Sequence, residues 1–403
     1  MRSAASSCST FSGGKGAELH VTVCINKLDD VTGTETYCLD LLAELAAHGH
    51  DASVFTLTSA PQTAARVAST GAELYTYPVY PMQAPDRAIV MHPLATTLLL
   101  RRIDQQVPTL AIIHSPWPDE YPVRLPRIDR FIAVSPYIAD LLQTRHGLRR
   151  EDVGVIPNGI DTSYFDAPSL GDLRGQVRVL WGSVYHPDRH DALVSVIDSV
   201  LARDDLRLTV VDAHLPQGLV PAHERIELVS KHPDTRELLR NAEVVCALGP
   251  GRILLEALAM NRAALCLNTH RQGEYVDASN LVRLEYYFAK WGRPIDELLA
   301  AERVNANANR RDVAITHFDA KTNFSALIGE LEQLEKRPRA PLSYRLADVK
   351  RLPYLARAYG VLVESQPEPH RAWPPAATAA RWAFRGSKLL PASLRRALHR
   401  LAR

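Results

Sequence analysis

Cysteine, long apolar runs and net charge are all scarce in this chain, and each scarcity narrows what the protein can be. The five cysteines among 403 residues (Cys8, Cys24, Cys38, Cys246, Cys266) form no C-x-x-C pair. Four of them fall in apolar strand or helix patterns, which points to buried, reduced thiols in a cytosolic protein. No stretch approaches the roughly 20 apolar residues of a membrane span. Residues 1–17 are rich in Ser and Gly without an apolar centre, which argues against a signal peptide and for a disordered N-terminus. A formal charge of +2 gives no overall attraction to nucleic acid, so a basic partner surface has to be local. No D-x-D pair flanked by apolar strands is present, and Asp29-Asp30 is adjacent and loop-borne, so it is not read as a metal site. What remains, 46% hydrophobic and 23% charged, is an ordinary globular composition with enough length for two domains.

The most informative segment runs from residue 243 to 268. An apolar run, Glu243-Val-Val-Cys-Ala-Leu248, empties into Gly249-Pro250-Gly251-Arg252, and a short helical stretch, Ile253 to Met260, precedes a second apolar run, Ala263 to Leu267. Strand, glycine turn and helix N-terminus together suit an anion, because the glycines let backbone N–H groups approach a phosphate and the helix dipole favours negative charge. Glu256, a turn inside that helix, could accept hydrogen bonds from sugar hydroxyls. The same residues also read as a plain core strand–loop–helix with a dipole-compensating acid.

The rest of the chain alternates strands and helices. Strands are expected at His20–Asn26, Asp51–Leu57, Ala72–Val79, Ala88–His92, Thr109–His114, Phe131–Ser135 and Gly154–Pro157. Lys27–Thr36 reads as a polar loop, Tyr37–His48 as an amphipathic helix, and residues 94–105 and 136–145 as further helices. Residues 159–176 look like a linker, after which the pattern restarts at Val177–Gly182. The expectation is therefore two consecutive doubly wound α/β domains, 18–165 and 166–336, with a ligand cleft between them beyond the carboxyl ends of the strands. Residues 337–403 form a Pro-rich, basic tail, of which 381–403 carry seven Lys/Arg and no acid. From Pro391 its leucines line one helical face, which suits an interfacial helix on an anionic membrane, or equally a solvated or back-packed helix.

Several segments together resemble the retaining glycosyltransferases of family 4, which have the two-domain GT-B fold. They are Thr32-Gly33-Thr34-Glu35-Thr36-Tyr37 with the helix that follows, Ile128 to Ser135, Val155-Ile-Pro-Asn-Gly-Ile-Asp161, and the 234–268 block. The resemblance spans about residues 20–335 and implies two Rossmann-like domains, an acceptor side first and a nucleotide-sugar side second. It implies that Gly33 approaches the donor's diphosphate, while Glu35 reads as a first-turn helix acid. It places His114 near the reacting sugar and His92 near the acceptor, although either could be a strand-end histidine satisfied by backbone. Asn158 and Gly159 would shape the interdomain hinge, and Ser135 reads as a helix N-cap.

In the second domain, Gly182 begins the loop where relatives hold phosphate with an Arg and a Lys. Here Ser183 takes the Arg position, and Arg189 best matches the Lys after a one-residue shift. Arg252 could supply the missing charge. Of two glutamates that relatives place eight residues apart, Glu256 fits the ribose-binding one and Leu248 replaces the one that contacts the donor sugar. The implied activity is metal-independent transfer of a sugar from a nucleotide-diphosphate sugar to an acceptor hydroxyl with retention. His114, Arg189 and Arg252 would be catalytic, Gly33, Gly182, Gly249, Gly251 and Glu256 donor-binding, and His92 acceptor-binding. No cofactor beyond the donor substrate and no nucleic-acid partner is implied. The basic tail hints at a lipid-linked acceptor and a cytoplasmic protein resting on the inner face of the cell membrane. The Ser183 and Leu248 departures leave room for a non-catalytic GT-B relative that binds sugar nucleotide or supports a partner enzyme.

Overall fold

A strand that is buried at every position has to be covered on both faces, and four strands among the described residues meet that condition. His20–Cys24, Thr109–Ile113, Val244–Leu248 and Ala263–Leu267 are buried along their whole length. In the computed structural model they lie inside two separate, mainly parallel sheets. The structure describes residues 18–29, 33–115, 127–168, 175–183, 185, 187–211, 215–229, 235–285, 287 and 289–336. The expectations for residues 1–17, for Thr32 and for the basic tail 337–403 lie outside the described residues.

The first sheet runs Glu73–Thr76, Asp51–Thr56, His20–Cys24, Arg87–Val90, Thr109–Ile113, Arg130–Ala133, Val153–Val155, every pair parallel. The second runs Ile226–Val229, Leu206–Val211, Val177–Trp181, Val244–Leu248, Ala263–Leu267, and ends in antiparallel Gln272–Tyr275 and Arg293–Pro294. In each sheet the chain-first strand is central and the order reverses beside it. That reversal opens a crevice at the carboxyl ends of the strands, where ligands of doubly wound folds bind.

Two local departures from the sequence expectation have clear causes. The first helix spans Gly33–Ala47, so its first turn replaces the end of the expected polar loop, with Glu35 complementing the positive end of the dipole. A helix at Pro61–Ser69 was not expected. Its buried stripe is only Thr63 and Val67, too thin to show as periodicity, and proline at its start supplies the helical φ.

The domain boundary also moves. The last helix, Ala320–Glu332, is capped by Asp319, whose carboxylate accepts from the Thr322 N–H, and it follows the second sheet in sequence. Yet Ala320, Phe324, Leu327, Ile328 and Leu331 join the core of the first domain, on one helical stripe. Arg130 holds Glu330 through two hydrogen bonds of 3.0 and 3.2 Å, and Lys336 reaches the buried Asp129 at 2.8 Å. Conversely Ile160, Phe165 and Ala167 pack in the second domain. The expected division at 165/166 thus gives way to two crossings, near 156–160 and 318–320. They are stitched together by Ile160 N–H to Phe318 O at 2.8 Å and Ala320 N–H to Ile160 O at 2.9 Å.

The two crossings touch at Gly159, where an added Cβ would stand 2.7 Å from the Ala320 Cα. Because that neighbour is backbone, it cannot rotate away. Gly159→Ala is expected to destabilise the protein by about 1–3 kcal/mol through overpacking, read as a lower urea midpoint. An unchanged midpoint would show that the crossings separate freely.

Candidate functional site

The second sheet reverses between Val177–Trp181 and Val244–Leu248, and these two strands deliver Gly182–Ser183 and Gly249–Gly251 to the crevice. Gly251 is the N-cap of the helix Arg252–Ala259. The sequence reading gave the glycine amides to a phosphate, but the structure uses them internally. Gly182 N–H donates to Cys246 O at 2.9 Å, Gly249 N–H to Leu267 O at 3.0 Å, and Gly251 N–H to Gly249 O at 2.9 Å. Gly249 is required instead by its backbone, with φ +69° and a Cβ position 2.8 Å from the Tyr287 ring. Gly182 makes way for Ile253. A helix leaves its first amides without intrahelical acceptors, so Arg252 and Ile253 carry the N–H donors that this turn offers to an anion. The side of Gly251 is open, with nothing within 4 Å of an added Cβ.

Arg252 is the most engaged residue of the crevice. Its Nε donates to Glu256 Oε1 at 2.8 Å, one terminal nitrogen to Gly159 O at 3.0 Å, and the other to Asp40 Oδ2 at 2.7 Å. These partners lie on its own helix, on the interdomain crossing and on the first helix of the other domain. Burial raises the carboxyl groups of Asp40 and Glu256 above the usual carboxylate range, and Arg252 only partly draws them back. Burial alone would lower the guanidinium, but Glu256 and Asp40 more than offset it and hold Arg252 above its ordinary value. The sequence reading sent Arg252 to a phosphate and Glu256 to a ribose. The structure pairs them with each other first, so a ligand would meet the remaining N–H groups of one and the second oxygen of the other.

On the first domain, Gly33, Tyr37 and Asp40 follow one another at helical spacing, with Tyr37 and Asp40 on the side that faces the crevice. Gly33 has open space where a side chain would be. The Tyr37 ring meets His114 edge-on with centroids 4.6 Å apart, and Phe324 of the last helix at 4.9 Å. His114 follows Thr109–Ile113, and its Nδ1 donates to Asn158 Oδ1 at 3.2 Å. Burial, then the neighbouring His92, lower the His114 pKa to about 3, so the ring is neutral. With the proton on Nδ1, its Nε2 presents a lone pair that is shut off from solvent and has no hydrogen-bond partner. His92 follows Arg87–Val90, accepts from the Asn26 N–H at 3.4 Å, and is lowered to about 4 by burial.

Arg189 ends a short turn, Pro187–Arg189, just before the helix His190–Leu201. It and Asp188 act electrostatically on Tyr287, the ring over Gly249, which places Arg189 at the rim of the same glycine turn. Ser183 is buried, its hydroxyl oxygen accepting from the Leu248 N–H at 3.1 Å. Leu248 itself packs in the core with Val179 and Trp181. The structure therefore gathers His92, His114, Arg252 and Glu256 around one crevice, with Gly33, Gly182, Gly249, Gly251 and Arg189 on its rim. Sequence reasoning missed Tyr37, Asp40 and Tyr287. The first two had a signal, since they lie four and seven positions beyond Gly33 on its helix. Among the described residues, no group of three or more His, Cys, Asp or Glu could hold a metal ion, and no helix is long and apolar enough to cross a membrane.

Two doubly wound domains facing across a crevice, tied by a last helix that returns to the first, define the GT-B fold. Residues 31–164, within the first domain, match the model of Glycosyltransferase Family 4. No curated protein matches the chain by sequence. Three solved structures are similar over nearly their whole length. A glycosyltransferase from Rickettsia africae is 12% identical with a TM-score of 0.58, covering 79% of this chain and 98% of its own. HepE of Anabaena, in complex with UDP and glucose, is 14% identical with a TM-score of 0.58, covering 79% and 100%. The lipopolysaccharide outer core galactosyltransferase WaaB, in its apo form, is 11% identical with a TM-score of 0.55, covering 77% and 99%. At such identities the likeness carries the fold.

Proposed function

We propose that this protein transfers a sugar from a nucleotide-diphosphate sugar to an acceptor hydroxyl, with retention of anomeric configuration and without a metal. The observation that carries the reading is the crevice itself. A helix N-terminus with open amides and a buried Arg252–Glu256 pair face a neutral histidine whose Nε2 awaits a donor. UDP and glucose in the HepE structure make a nucleotide sugar the natural donor class to test first.

Sugar transfer separates charge, leaving the sugar oxocarbenium-like and the departing diphosphate more negative. The amides of Arg252 and Ile253, the remaining N–H groups of Arg252, and Arg189 at the rim would stabilise that growing charge in a crevice poor in water. The second oxygen of Glu256 would accept from ribose. The Nε2 of His114 would accept from a hydroxyl of the transferred sugar, and His92 lies beside it on the acceptor side. Gly33 would leave room for the diphosphate against the first helix. Residues 381–403, outside the described structure, would bring the protein to an anionic membrane on the cytoplasmic side and a lipid-linked acceptor within reach.

A second reading rests on a specific observation. Ser183 is tied to the backbone and Leu248 is packed in the core, so neither offers a ligand what a guanidinium or carboxylate would. A protein that binds sugar nucleotide without turnover fits these two residues. Mixing the purified protein with UDP-, GDP- and dTDP-sugars decides both questions. A donor raises the melting temperature, because it binds only the folded state. Nucleotide release that needs an acceptor shows transfer, whereas binding without release shows the non-catalytic form. Glu256→Ala is expected to weaken donor binding at least several-fold, read by calorimetry, and equal affinity would remove Glu256 from the site.

A further inference from the structure

We propose that Asp40 is a positioning residue that couples the relation of the two domains to the geometry of the nucleotide pocket. The inference rests on the nucleotide-sugar reading above and adds to it a residue from the opposite domain. Glu256 and Asp40 share one guanidinium, at 2.8 and 2.7 Å, yet they belong to different domains. Arg252 is only 12% exposed at its side chain and Glu256 9%, so neither can trade its partner for water without moving. A planar guanidinium fixes the direction of every bond it donates. When Asp40 holds one terminal nitrogen and Gly159 O the other, the orientation of Nε is set, and with it the carboxylate of Glu256. Asp40 lies two turns along from Gly33, so the same helix that borders the proposed diphosphate space also carries this contact. Nothing else that is acidic in the first domain touches Arg252 among the described residues: the charges acting on Arg252 are those of Glu256 and Asp40.

The consequence is an ordered pocket in the present arrangement of the domains and a loosened one when they part. Separation would remove Asp40 and leave Arg252 free to swing, so that Glu256 would no longer stand at a fixed angle to a ribose. Binding of a nucleotide and closure of the domains would then favour one another, by the same factor in both directions.

The test measures UDP, GDP and ADP binding by calorimetry on the full-length chain, using whichever binds the unsubstituted protein most tightly. Asp40→Asn keeps the shape and removes the charge, and is expected to weaken binding about tenfold, within the usual range for coupled sites. Asp40→Glu, which restores the charge, is expected to recover most of that affinity. Glu256→Gln alone weakens binding as well, and adding Asp40→Asn to it is expected to change little more, because both act through Arg252. A purely structural role would instead lower the melting temperature while leaving the affinity unchanged, or give additive losses. Unchanged affinity in Asp40→Asn, or additivity with Glu256→Gln, overturns the positioning role while leaving the nucleotide reading intact. If the unsubstituted protein binds none of the three nucleotides, the nucleotide reading itself falls and this role falls with it.

Discussion

Replacing Arg252 with methionine is expected to cost about 3–5 kcal/mol of stability at pH 7, the usual consequence of leaving buried charges without their partner. The substitution keeps much of the side chain's volume, so the loss is electrostatic rather than a cavity. It strands Glu256 and Asp40, which burial already holds above the ordinary carboxylate range while Arg252 draws them down. Removing Arg252 removes that lowering influence, so both groups rise further in the folded protein. A carboxyl raised in the folded state favours folding below its unfolded pKa, and that benefit is lost as pH rises through its folded pKa. The deficit of Arg252→Met relative to the unsubstituted protein should therefore be largest at neutral pH and shrink as pH falls towards 5. Urea titrations at pH 7 and pH 5 measure it. Adding Asp40→Asn and Glu256→Gln should restore much of the stability at pH 7, since replacing a whole buried ionic cluster with neutral groups is often close to neutral. A deficit that is equal at both pH values, or that the neutral pair leaves unchanged, would mean that the cluster is not electrostatically coupled.

That cluster also marks where sequence reasoning stopped. The strand pattern was legible because buried parallel strands are apolar without interruption, as at Val244–Leu248, and their order of appearance set the doubly wound topology. The glycine turn at 249–251 was legible as a turn that leads into a helix. The direction of its amides was not, because whether Gly249 N–H points at a ligand or at Leu267 O depends on the neighbouring strand. Arg252 could be seen as a charge near the site, whereas its partner Asp40 lies 212 residues away. No local pattern joins two residues whose contact exists only once two domains meet. The expected bounds of the second domain, 166–336, misplaced the last helix for the same reason: position along the chain does not say which of two cores a helix enters. The basic tail carries the clearest charge bias of the chain, and its residues lie outside the described structure.

Lowering the pH should destabilise the protein through its two crevice histidines, and His114→Gln should blunt that response. Burial, with His92 next, holds His114 near 3, and burial holds His92 near 4, against 6.5 for the free side chain. A group depressed in the folded state contributes stability that is present above the unfolded pKa and lost as pH falls towards the folded value. The window here runs from about 6.5 down to about 4. Each histidine then takes up a proton on unfolding, which lowers stability by about 1.4 kcal/mol per pH unit while the unfolded form is protonated and the folded form is not. Glu285 works the other way. It accepts from the Tyr137 N–H at 3.1 Å across the domain boundary, and burial raises it to about 7. Its protonation recovers stability as pH falls from 7, so the total acid response is a difference between opposing groups. The comparison of two proteins removes that complication, because Glu285 is common to both. Between pH 6 and pH 4 the stability of His114→Gln should fall less steeply than that of the unsubstituted protein, by about 1.4 kcal/mol per pH unit. Glutamine preserves a hydrogen bond to Asn158, so any constant offset from packing leaves the slope untouched. Parallel slopes from urea midpoints at several pH values would show that His114 is charged in the folded protein. It would then have no lone pair at Nε2 to accept a sugar hydroxyl, and its place in the proposed reaction would be lost.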